Sequence, residues 1–168
     1  MAWEFDRNHS RVGFSARHLG INTVHGQFED ADVALNIDGD DPVNWSVKAN
    51  IKAASINTGL GRRDDALRSD QYLNVEAHPT ITFESSRVER RGDQYAVIGA
   101  LTMLGVTKEV ELEASFNGEA VDREQLKRGF SARGTIDRFA FGIGEPERTW
   151  TVGPKIDLVL DMEAIKQS

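Results

Sequence analysis

The feature that most constrains what this chain can fold into is a period-two alternation of apolar and polar residues. It is clearest in residues 156–163 (IDLVLDME), where every second residue is apolar. Because successive side chains of a strand point to opposite faces, such a segment predicts a strand with one buried face and one solvated face. The same alternation predicts strands in residues 11–18, 32–37, 45–51, 95–101, 110–116 and 130–136.

The segments between these runs carry turn-forming residues. Residues 38–42, 91–93 and 117–118 are rich in Gly, Asp and Asn, and each segment predicts a turn between strands. Two charged stretches break the alternation. Residues 62–73 (RRDDALRSDQYL) lack β-branched side chains and predict one or two short helical turns over a barrel mouth, whereas residues 119–128 predict a solvated loop or a short helix.

Many short strands with one or two short helices predict an all-β fold. Neither a linker nor a repeat divides residues 1–168, so we expect a single domain. Closure into an antiparallel barrel of about eight strands is favoured because it removes exposed edges, and such a barrel either fills with side chains or holds one ligand. Gly26, Gly99 and Gly134 on the presumed inward faces indicate room for a ligand, although strand glycines also mark bends.

Composition and charge disfavour several kinds of partner and location. The net charge of −7 disfavours nucleic acid and, by simple charge attraction, anionic lipid surfaces. The chain has no cysteine, and hence no disulfides and no thiolate metal ligands. The N-terminal residues lack a basic stretch followed by an apolar run, which predicts a cytoplasmic protein without a secretory signal. No apolar run approaches the roughly 20 residues that span a bilayer.

The motifs of common catalytic and metal sites are missing from the sequence. It has no GxSxG nucleophile motif and no Walker sequence, and none of its four histidines has the spacing of metal ligands. His18 and His25 could still meet across a hairpin, but the spacing favours ordinary hydrogen-bonded histidines. We therefore expect a protein that is not an enzyme and that holds neither a metal nor a cofactor.

Several long strings, in order along the chain, resemble one family. They are HSRVGFSARHLGINTVHGQF (residues 9–28), INTGLGRRDDALRSDQYLNVEAHPTITFES (residues 56–85), GALTMLGVTKEVELEASF (residues 99–116) and GFSARGTIDRFAFGIG (residues 129–144). With the final acidic strand they cover nearly the whole chain. They resemble the YceI-like family of bacterial lipid-binding proteins.

The resemblance implies an extended, lipocalin-like antiparallel barrel with a helical segment near residues 62–73. It also implies that the barrel sequesters a polyisoprenoid or another long-chain amphiphile, quinone-like molecules among them, and that the protein forms a homodimer. No catalytic residues come with the family. The chain departs from the family pattern at Leu104, where a histidine is usual, and at Phe139 and Phe141, which add apolar groups.

The expected ligand is therefore a long apolar molecule held inside the barrel. Strand alternation and apolarity predict a lining formed by Val12, Phe14, Phe28, Trp45, Ile81, Phe83, Leu101, Met103, Phe130, Phe141 and Trp150. Arg17 and His18, if they face inward, should lie near the mouth and meet the ligand's polar head. Two alternatives stay open: a stress-response barrel that acts through a protein partner, and a lipid-directed enzyme with His18 as its base.

Overall fold

The computed structural model describes residues 2–145 and 151–168, and antiparallel strands make up most of this part of the chain. The strands are β1 (Trp3–Phe5), β2 (Arg11–His18), β3 (Asn22–Phe28), β4 (Ala31–Asn36), β5 (Ser46–Lys52), β6 (Ile56–Asn57), β7 (Thr80–Arg91), β8 (Gln94–Met103), β9 (Val106–Asp122), β10 (Gln125–Asp137) and β11 (Val152–Lys166). The α-helix α1 spans Gly61–Arg68. Short 3-10 helices span Arg7–His9, Pro42–Asn44, Ala53–Ser55 and Arg138–Phe141.

In the described part of the chain, the strands close into an antiparallel barrel of eight. Around the barrel the order is β1, β4, β5, β7, β8, β9, β10 and β11, and β11 pairs with β1 to complete the ring. The long strand β11 also pairs with β2, so β1 and β2 follow one another along the same edge of β11. The predicted all-β barrel is thereby confirmed.

The strand registers define two ends of the barrel. Strands β2, β8 and β10 finish at the same end, which also carries the connection between β6 and β7 that contains α1. We call this the helix end. The connections β4–β5, β7–β8 and β9–β10 lie at the opposite end.

Gly26, Gly99 and Gly134, which the sequence predicts to leave room for a ligand, lie instead under neighbouring side chains. A Cβ atom at Gly26 would collide with the Phe14 ring, and one at Gly99 would come 2.7 Å from Cζ of Phe83. At Gly134 it would lie 2.6 Å from a Leu112 methyl group. These glycines make room for large side chains of the barrel itself, so their interpretation as ligand space was wrong.

The predicted strands are present, and the helical prediction for residues 62–73 corresponds to α1 followed by turns. The prediction of a loop or short helix in residues 119–128 was wrong, because these residues continue β9 and β10 into a two-stranded ribbon. The predicted turn at residues 117–118 was also wrong, because these residues lie within β9, next to a β-bulge of that ribbon. The ribbon turns at Arg123 and Glu124, both with positive φ. Its outer part is largely exposed on both faces, which removes the alternation that marks the other strands.

Candidate binding cavity

The barrel encloses a cavity of about 270 Å³ whose wall is almost wholly apolar. This volume is close to the lower end of the roughly 300–1,000 Å³ typical of small-molecule sites. The wall is formed by inward side chains from all sides of the barrel, including Val47, Leu112 and Leu158. The arrangement can hold an apolar group away from water, and the wall offers it few polar partners.

The structure brings most of the predicted lining residues together on this wall. They are Val12, Phe14, Phe28, Trp45, Ile81, Phe83, Leu101, Met103 and Phe130. Phe141 is a correction: it is buried in the core but does not line the cavity, because it lies on the 3-10 helix that follows β10. Trp150 lies outside the described residues. Contact of any of these side chains with a ligand stays a prediction.

The two predicted head-group residues are not on the cavity wall. Arg17 and His18 end β2 at the helix end, and both are exposed. The Arg17 guanidinium donates to Thr23 Oγ1 at 2.9 Å and to the Gly20 carbonyl at 3.1 Å, so two of its five N–H groups are engaged within the turn. The register also separates the two histidines considered as a pair, since His18 lies opposite Asn22 and His25 opposite Ser15.

Each end of the cavity is closed by a different group of side chains. At the helix end, Leu67 of α1 and Leu73 reach over the wall and contact the core. At the opposite end, Trp45, Phe116 and Phe130 form an aromatic group. Their ring centroids are 5.4–5.7 Å apart, within the range of favourable aromatic pairs.

Arg128 is a charged residue of this end that the sequence analysis missed. It is only 7% exposed, and its guanidinium carbon lies 4.9 Å from the ring centroid of Trp3, 5.4 Å from that of Trp45 and 5.8 Å from that of Phe116. A cation over aromatic faces is attracted by their negative quadrupole. The sequence contains a signal for its inward position, because residue 128 lies two residues before Phe130 and four before Ala132 and so shares their face of β10.

The hydrogen bonds of Arg128 tie the β4–β5 connection to the barrel. Its Nη1 donates to the Gly39 carbonyl at 3.0 Å and its Nη2 to Asp40 at 2.7 Å, while Nε donates to Glu119 at 3.1 Å. Paired and hydrogen-bonded in this way, the buried charge is tolerated. Arg128 therefore closes the opposite end of the barrel together with the aromatic group.

Arg138 has a corresponding role at the helix end. This buried guanidinium donates to the carbonyls of Ile143, Val152 and Gly153 at 2.7–2.9 Å. Burial lowers the pKa of Arg138, and the nearby Tyr72 and Asp137 oppose that shift in part. Arg138 thus joins the segment after β10 to the beginning of β11.

Asp6, His9 and Glu163 form a polar cluster away from the cavity. Their potential ligand atoms lie within 4.8 Å of one another, and the His9 Nδ1 is 2.8 Å from Asp6 Oδ2. Burial raises the pKa of Asp6, but hydrogen bonds from His9 and from the Asn8 backbone N–H outweigh it, so the pKa lies below its usual value. Within the cluster, Asp6 caps the 3-10 helix between β1 and β2.

These features define a class of protein: a closed eight-stranded antiparallel barrel with an apolar cavity. The chain belongs to the YceI-like domain family, whose profile matches residues 3–164. Among the described residues, no helix is long and apolar enough to cross a membrane.

Curated relatives match almost the full chain. A UPF0312 protein of Pectobacterium carotovorum is 35% identical over 171 residues, covering 98% of this chain and 86% of that protein. A UPF0312 protein of Serratia proteamaculans is 36% identical over 162 residues, covering 94% of this chain and 82% of that protein.

Solved structures share the fold. The Campylobacter jejuni YCEI protein has a TM-score of 0.80 and 30% identity, covering 90% of each chain. Burkholderia cenocepacia BcnA has a TM-score of 0.87 and 21% identity, covering 95% of this chain and 99% of its own. A polyisoprenoid binding domain from Saccharophagus degradans has a TM-score of 0.71 and 13% identity, covering 98% of each chain.

Proposed function

We propose that this protein binds a long-chain isoprenoid or a similar amphiphilic lipid inside its barrel, without converting it chemically, and so carries or stores it. The apolar cavity is the observation that carries the proposal. The likeness to a structure described as a polyisoprenoid binding domain supports the ligand class. A quinone-like molecule with an isoprenoid tail belongs to the same class.

Burial of the ligand's hydrocarbon supplies the binding free energy. Each methylene moved from water into an apolar site contributes about 0.8 kcal/mol. About ten buried carbons therefore contribute several kcal/mol even after the ligand has lost translational and rotational freedom. The near absence of polar groups on the wall favours chain length and shape over head-group chemistry as the basis of selection.

The enzymatic alternative with His18 as base receives no support from the site. The imidazole is exposed at the end of β2 and does not line the cavity. The alternative of a barrel that acts through a protein partner differs in a testable way, since such a barrel need not bind a lipid. The homodimer implied by the resemblance stays a prediction, which sedimentation equilibrium tests.

Blocking the cavity is the direct test. Ala49 lies on the cavity wall, and its cross-strand partner Val33 is followed by Ala34, which is exposed on the outer face. We expect Ala49→Phe to lower the affinity for geranylgeraniol by at least tenfold and Ala34→Phe to leave it unchanged. The measurement is a fluorescence titration in detergent-free buffer, with circular dichroism to verify that both variants fold.

Native mass spectrometry of the unmodified protein identifies the ligand class. A stoichiometric apolar adduct that solvent extraction releases supports the proposal. A protein that stays free of adduct after incubation with prenyl alcohols, isoprenoid quinones and fatty acids would favour action through a protein partner.

A further inference from the structure

The turn between β2 and β3 presents large apolar side chains to solvent. Residues 17–22 (RHLGIN) form this turn at the helix end of the barrel. The side chain of Ile21 is 79% exposed and that of Leu19 is 45% exposed. The two residues are separated only by Gly20, and exposed apolar groups that are clustered in one turn, rather than scattered singly, point to a contact surface.

Leucine is an uncommon residue for the backbone conformation that Leu19 adopts in this turn. Leu19 has φ 54° and Gly20 has φ 68°, the left-handed conformations of a tight hairpin turn that favours Asn-Gly or Asp-Gly. The β8–β9 turn repeats the Leu-Gly pair, with φ 52° at Leu104 and 73° at Gly105. Leu104, however, packs against the core, which offsets its strain. Leu19 is 45% exposed and is not among the described residues that pack against this core. A strained residue of this kind suggests a functional role.

The charge of the turn separates it from the other exposed hairpins. Residues 17–22 contain no acidic residue, and Arg17 has no acidic partner in the described part of the chain. The β9–β10 turn at the opposite end has a similarly exposed apolar residue, Val121 at 71%, but carries Asp122 and Glu124. Of these two turns, only residues 17–22 combine exposed apolar side chains with a cation and no acidic residue within the turn itself.

We infer that residues 17–22 dock the helix end of the barrel onto the surface of a phospholipid bilayer. Leu19 and Ile21 enter the boundary between head groups and acyl chains, and Arg17 pairs with anionic head groups. The inference rests on the proposed function, because docking brings the cavity end covered by Leu67 and Leu73 to a source of apolar cargo. The contact is local, and therefore compatible with the net charge of −7.

The test compares the same substitution at the two turns. Vesicles of phosphatidylcholine and phosphatidylglycerol are floated with the unmodified protein, with Ile21→Ser and with Val121→Ser. We expect Ile21→Ser to lower vesicle binding about tenfold, since an isoleucine side chain no longer leaves water. We expect Val121→Ser to bind like the unmodified protein, because its turn faces away from the bilayer. Equal binding by the two variants, or none by the unmodified protein, overturns the inference.

A second variant separates docking from packing. Leu19→Gly preserves the backbone of the turn, since glycine adopts positive φ at little cost. We expect it to unfold no earlier than the unmodified protein on heating and to bind vesicles several-fold more weakly. A lower unfolding temperature with undiminished vesicle binding would assign Leu19 to packing and contradict docking.

A titration with geranylgeraniol delivered from cyclodextrin, without vesicles, keeps the two proposals distinguishable. Ile21→Ser should bind the prenyl alcohol as the unmodified protein does, because residue 21 is not on the cavity wall. If no variant binds the alcohol but Ile21→Ser still loses vesicle binding, the proposed ligand class fails and membrane docking stands.

Discussion

At the scale of single residues, Arg128 shows how a buried charge can hold a barrel end closed. Its guanidinium bonds to both the ribbon and the β4–β5 connection while lying over three aromatic rings. Replacement by methionine removes every one of these polar contacts and leaves the Gly39 carbonyl with only the Trp45 Nε1–H, at 3.2 Å, as a side-chain donor. The two acidic partners are better placed to recover hydration, because Asp40 is 95% exposed and Glu119 is half exposed.

We therefore expect Arg128→Met to lower the free energy of unfolding by about 2–4 kcal/mol. Asp40→Asn should cost much less, because surface ion pairs contribute little. Urea denaturation measures both values. Equal losses in the two variants would show that the Asp40 pair, rather than burial against the aromatic rings, gives Arg128 its effect.

Asp6 makes stability depend on pH in a defined direction. Its folded-state pKa is held below the unfolded value of about 3.9, so its contribution is present above that value and is lost as pH falls through the folded pKa. We expect Asp6→Asn to lower the free energy of unfolding by about 1 kcal/mol near neutral pH, because it removes the charge from the hydrogen bond between the carboxylate and His9. The difference in free energy of unfolding between this variant and the unmodified protein should vanish at pH values below the folded-state pKa of Asp6.

Urea denaturation at a series of pH values measures this convergence. Asp93→Asn, at the exposed β7–β8 turn, serves as the control and should follow the unmodified protein. A constant offset between Asp6→Asn and the unmodified protein down to the acid limit would contradict a role for the ionised carboxylate.

At the scale of secondary-structure elements, close approach between β7 and β8 depends on a missing side chain. A Cβ atom at Gly99 would lie 2.5 Å from the Glu84 carbonyl oxygen and 2.7 Å from the Phe83 ring. The carbonyl belongs to the backbone and cannot rotate away, so the two strands would have to separate. Gly129 on β10 is a matched control, because a Cβ atom there would have room: its nearest neighbour would be the Asn117 Cβ at 3.8 Å.

We expect Gly99→Ala to lower the free energy of unfolding by about 1–3 kcal/mol, the usual cost of overpacking. Gly129→Ala should change it by less than about 1 kcal/mol. Thermal denaturation ranks the two variants. A Gly99→Ala protein as stable as the Gly129→Ala protein would show that β7 and β8 tolerate wider spacing.

The sequence was informative wherever a strand has one buried and one wet face. Such strands include β5 and β11, and their inward residues Val47 and Leu160 were placed on the correct side. The signal failed in the outer ribbon of β9 and β10, where both faces are wet. Arg128 was missed for another reason: it stands in a charged stretch that predicts solvent exposure, although it shares the alternation of Phe130 and is buried. Contacts between distant segments, such as Arg128 with Asp40, follow from strand register and barrel closure, which period-two patterns leave unspecified.

At the scale of the whole molecule, ligand binding and folding are thermodynamically linked. A molecule that binds only the folded barrel stabilises it by about 2.7 kcal/mol at a hundred times its dissociation constant. We expect geranylgeraniol to raise the unfolding temperature of the unmodified protein by several degrees. The Ala49→Phe protein should show little shift at the same concentration, and a shift equal to that of the unmodified protein would place the bound molecule elsewhere.

The double pairing of β11, with β10 on one edge and with β1 and β2 on the other, has a consequence for biosynthesis. Every other barrel strand precedes β11 in the chain, so a ribosome releases them before their ring can exist. Until β11 emerges, the nascent chain can form only two separate open sheets, one from β1 to β10 by way of β4 and one of β2, β3 and β6, and the edges of β10, β1 and β2 stay unpaired. The interior therefore forms in one late step. Until then, the growing polypeptide depends on chaperones or on rapid synthesis to keep its unpaired strand edges from pairing with other chains.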